Sequence, residues 1–71
     1  MNEQIKQLAQ QAGMYVDFKG EPWPKWMGAE ECEQAYAKFA ELIVKECMSN
    51  LYLNGYDDAM IQIQTHFGVK L

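Results

Sequence analysis

The sequence contains no arginine; all six of its basic residues are lysine. Arginine is the side chain best suited to bidentate recognition of phosphate. With ten acids against six bases and a net charge of −4, the chain also lacks a basic footprint. Direct binding of DNA or RNA is therefore not expected. Histidine occurs once, at His66, and the two cysteines, Cys32 and Cys47, form no Cys-x-x-Cys pair. This set falls short of a zinc site, so no metal and no cofactor is expected. Apolar runs are only a few residues long, far below the roughly 20 needed to span a membrane. The opening Met1-Asn2-Glu3-Gln4 has no basic region ahead of an apolar run and does not read as a signal peptide. There is no glycine-rich phosphate loop, no pair of catalytic carboxylates and no Ser-His-Asp set. These absences predict a protein with no catalytic residues, which acts by binding rather than as an enzyme.

What is present fits one small domain over residues 1–71. The chain is 49% apolar, which is enough to fold. A chain this short still buries little surface, and usually needs a disulfide, a metal or a partner subunit. Cys32 and Cys47 fall within one predicted helix and would lie roughly 22 Å apart along it. A disulfide needs Cα atoms within about 7 Å, so no internal bridge is expected. Two free thiols suit a reducing compartment. Self-association is then the expected supplement.

The spacing predicts an all-α fold of three helices, over 2–12, 29–53 and 57–67. In the first, Ile5, Leu8, Ala9 and Ala12 make one stripe, Asn2 is the N-cap and Gly13 the stop. In the second, Gly28 serves as N-cap and Glu30 and Glu31 fill the first turn. Its apolar stripe runs through Cys32, Tyr36, Phe39, Ile43, Cys47 and Leu51, widened by Ala35, Ala40, Leu42 and Val44. That width exceeds what a helix covered on one side needs. Tyr36, Phe39, Ile43, Cys47 and Leu51 are accordingly the predicted self-association surface of a homo-oligomer. Glu41 and Lys45 have ion-pair spacing, and Asn54-Gly55 ends the helix. In the third, Asp57 is the expected N-cap, with Tyr56 and Ile61 at staple spacing. Met60, Ile63 and Phe67 form its inward stripe, and Gly68 its stop.

Residues 14–27 read as an extended aromatic and proline-rich loop. Within it, 14–19 alternates with a two-residue period, as in one short strand. A single strand cannot satisfy its backbone groups, so it must pair with its copy in another subunit or remain extended loop. Trp23, Trp26, Tyr15, Phe18 and Lys25 are the predicted partner-binding residues. Tryptophan and tyrosine anchor interfaces, and prolines lower the ordering cost. A planar ligand could also stack there with Lys19 or Lys25 facing its phosphate, or the loop could fold over the helices as a cover. His66, in the last helical turn, reads as a dipole partner. Cys47 on the stripe reads as a buried packing residue, and Cys32 as structural too. Glu30, Glu31 and Glu33 suit a helix N-terminus, and a net charge of −4 is thin for a mimic of DNA.

Three stretches carry a resemblance. Residues 1–9 (Met-Asn-Glu-Gln-Ile-Lys-Gln-Leu-Ala), 39–47 (Phe-Ala-Glu-Leu-Ile-Val-Lys-Glu-Cys) and 66–69 (His-Phe-Gly-Val) resemble small accessory proteins of tailed bacteriophages. They cover about a third of the chain. The resemblance implies phage origin and a place in the host cytoplasm, and no particular activity. The expected function is binding to a host protein, in defence inhibition or host takeover. Two alternatives remain: an oligomer that sequesters a nucleotide or other small ligand, and a structural or regulatory oligomer without a ligand.

Overall fold

The computed structural model describes residues 2–17, 19, 22–23 and 28–71, with the backbone alone at 16, 22 and 23. Its element order is α1 (Glu3–Gln11), β1 (Tyr15–Val16), β2 (Pro22–Trp23), α2 (Ala29–Leu53) and α3 (Asp57–Phe67). The fold is all-α, with one β pair of two residues on each side among the described residues. The chain divides into two compact units, Met1–Ala40 and Glu41–Leu71.

In the first unit, α1 starts where the Ile5 N–H donates to Asn2 Oδ1 at 2.9 Å. It ends where Gly13 takes a left-handed φ of 91°. There the Gly13 N–H donates to Gln10 O and the Met14 N–H to Ala9 O, both at 3.0 Å. This paired closure is a Schellman motif, which uses up carbonyls the helix cannot satisfy itself. It also returns Met14 onto the helix it has just left. Ala9, Met14 and Ala35 are buried as one cluster, with Phe39 packed against it. Ile5, Leu8 and Ala12 are half-buried, so the predicted stripe of α1 is the face that docks. Such docking is required, because a helix of 9 residues is too short to persist alone.

The two strands pair antiparallel, with Tyr15 opposite Trp23 and Val16 opposite Pro22. The 14–19 segment is expected to pair with its copy in another subunit or to remain extended loop; instead Tyr15–Val16 pairs with Pro22–Trp23 of the same chain. The Lys19 N–H donates to Asp17 Oδ1 at 2.9 Å, a local side-chain to backbone bond of the Asx type. Proline, read above as a loop marker, is compatible with an edge strand because its missing N–H costs no ladder bond there.

In the second unit, α2 ends in another Schellman motif. Gly55, at φ 82°, donates to Tyr52 O at 3.1 Å, and the Tyr56 N–H donates to Leu51 O at 2.9 Å. Helix α3 begins at once, the Met60 N–H donating to Tyr56 O at 3.0 Å. Tyr56 thus closes one helix and opens the next, occupying the cap position without a side-chain cap bond. Asp57, expected as the cap, is displaced into the first turn beside Asp58, where both still complement the helix dipole. Tyr56 and Ile61 are both exposed, so their staple spacing buries neither. Gly68, left-handed at φ 68°, ends α3.

Candidate functional site

The predicted partner-binding set is only partly within the described residues. Phe18, Lys25 and Trp26 lie outside them. Tyr15 sits on β1 with 45% of its surface exposed. Trp23 sits on β2 directly opposite it in register. The β pair therefore brings together two aromatic positions eight apart in the chain, which periodicity alone does not do. Asp17, which follows β1, accepts the Lys19 N–H. An aspartate two residues ahead of a backbone donor is the sequence signal for such a bond.

The predicted self-association set divides between the two units. In the first, Tyr36 is 50% exposed, while Phe39 is half-buried against that unit's own core. In the second, Ile43 and Leu51 are half-buried and Cys47 is exposed. The expectation that Cys47 is a buried packing residue is therefore incorrect. The fully covered residue is its neighbour Met48, at 0% exposure. On the part of α2 in the first unit the buried residue is Ala35, one of those that widen the predicted stripe, while its neighbour Tyr36 is open. One residue along a helix is about 100° around it, so an offset of one turns a covered position into an open one. Cys47 lines a shallow recess with Glu46, Asn50 and Leu51. Both cysteines are free thiols, Cys32 half-buried.

Phe67, expected on the inward stripe of α3, is 60% exposed. It is the last helical residue, and the chain turns away at Gly68. His66 meets its ring edge-on, the centroids 4.7 Å apart, a favoured aromatic geometry. His66 also stands in the last turn of α3, as a dipole partner would. Among the described residues no group of three or more His, Cys, Asp or Glu side chains is placed to hold a metal ion. Among them also, no helix is long and apolar enough to cross a membrane. Glu30, Glu31 and Glu33 are exposed at the start of α2. The Glu41–Lys45 pair forms as its spacing predicts, at 3.0 Å, and half-exposed as it is adds little to stability.

Comparisons with protein-family models, with curated proteins and with solved structures found no match to this chain.

Proposed function

We propose that this protein acts by binding a host protein, as a phage accessory protein in the host cytoplasm, and that the aromatic hairpin around 15–23 is its recognition surface. One observation carries the reading: the β register sets Trp23 opposite a substantially exposed Tyr15. A tyrosine and a tryptophan on a short, turn-stabilised ladder match the composition of interface anchors. Their placement on paired backbone reduces the ordering cost of binding. The resemblance of residues 1–9, 39–47 and 66–69 to phage accessory proteins supports the host as the source of the partner. The reading is of a binder and not of an enzyme. It includes self-association through the stripe of α2, where Tyr36 and Cys47 are open.

The test is capture from host lysate on the immobilised chain, compared with Trp23→Ala and Tyr15→Ala. A single host protein should be retained by the parent chain. Each substitution should weaken its binding by about thirtyfold, the size of a hot-spot loss of ~2 kcal/mol, with the helical circular dichroism unchanged. Binding that survives both substitutions would remove the hairpin as the site. Loss of capture by every form, with a ligand-dependent rise in Tm for a nucleotide panel, would replace a protein partner with a small ligand.

A further inference from the structure

We propose that Asn54–Gly55 is a latent deamidation site, held closed by the cap that ends α2. Asparagine followed by glycine is the pairing in which the next backbone nitrogen most easily reaches the side-chain carbonyl, since no side chain hinders the approach. The chain has this pairing only here; Asn2 precedes Glu3 and Asn50 precedes Leu51. Asn54 and Gly55 are both exposed. A Cβ built on Gly55 would meet nothing within 4 Å, so no distant part of the chain crowds the glycine.

The reaction is redox-neutral and needs only water. The Gly55 nitrogen gives its proton to hydroxide and attacks Asn54 Cγ. The N–Cγ bond forms, the Cγ–Nδ2 bond breaks, and Nδ2 takes a proton from water and leaves as ammonia. Water then opens the cyclic imide at either carbonyl, leaving aspartate or isoaspartate.

Both reacting groups are occupied in the fold. The Gly55 N–H donates to Tyr52 O at 3.1 Å, which opposes loss of its proton. The Asn54 side-chain amide donates to Asn50 O at 2.7 Å and to Asn50 Oδ1 at 3.1 Å, which anchors it on the preceding turn. Reaction requires the last turn of α2 to open first, and the rate is scaled by that opening. Conversion also removes what held the turn shut. A carboxylate in place of the amide sets an acceptor against the Asn50 carbonyl, and puts negative charge at the negative end of the helix dipole. The site is therefore a one-way lesion in the connection between α2 and α3, independent of the binding proposal.

The full chain is incubated in mildly alkaline buffer with and without denaturant, and conversion is located by peptide mapping. The denatured chain should convert chiefly at Asn54, and the folded chain about tenfold more slowly or less. Equal rates folded and denatured would overturn the proposal, as would conversion chiefly at Asn2 or Asn50. The converted protein, separated by its extra charge, should melt below the unconverted one; identical melting would show that the amide is no part of the cap.

Discussion

Met48 and Cys47 are adjacent in sequence and opposite in fate. Met48 is the large side chain that is fully buried among the described residues, while the Cys47 thiol is open. Met48→Ala should therefore cost about 2–3 kcal/mol, from lost burial and the space left behind, read from the urea midpoint. Cys47→Ser should cost well under 1 kcal/mol, as exposed substitutions do. A thiol reagent applied to the folded chain, diluted until it is monomeric, should modify Cys47 first and Cys32 more slowly. The reverse order would mean that Cys47 is covered in the single chain. Gly55 is a different kind of residue-level constraint. Its surroundings are empty, so Gly55→Ala should cost about 1 kcal/mol from the left-handed φ alone, without any steric clash.

At the scale of elements, helix ends were legible because their causes lie within a few residues. Asn2 caps α1 through a bond to Ile5, three positions on. Gly13, Gly55 and Gly68 stop the three helices with positive φ, as their positions in the sequence predict. The exception is the start of α3. Two local signals compete there, and the closing bond from Tyr56 to Leu51 takes the residue that Asp57 would otherwise follow as cap. The β pair was half legible. Alternation marks 14–19 but does not name Pro22–Trp23 as its partner; after β1 the Lys19 N–H is bound by the Asp17 carboxylate. Asp17→Ala should thus loosen the hairpin. The interstrand nuclear Overhauser contacts between the Tyr15 and Trp23 backbones should weaken or vanish, while those within α1 persist. Retention of the full cross-strand set would show that the turn does not depend on the carboxylate.

At the scale of the molecule, the buried apolar residues among those described are Ala9, Met14, Ala35 and Met48. Three of them form the core cluster of the first unit. Tyr52, Tyr56, Ile61, Phe67 and Leu71 stay open, and Leu53 is 80% exposed. So few covered side chains among the described residues, in so short a chain, are the reason to expect a second copy. Sedimentation at low micromolar concentration should find a species heavier than 8.2 kDa, and Tyr36→Asp should shift it toward monomer. A clean monomer across that range would end the proposal of self-association. The sequence by itself determined three helices, their lengths to within a residue at most ends, and their stops. Those depend on backbone dihedrals and on hydrogen bonds that span a few positions. Only the tertiary structure decided that Met48 rather than Cys47 is covered, that Phe67 is open, and that Tyr15 faces Trp23 across a ladder. Burial and pairing are set by what approaches from elsewhere in the chain. A periodic stripe specifies such an approach only to within a residue, and one residue is about 100° of helix.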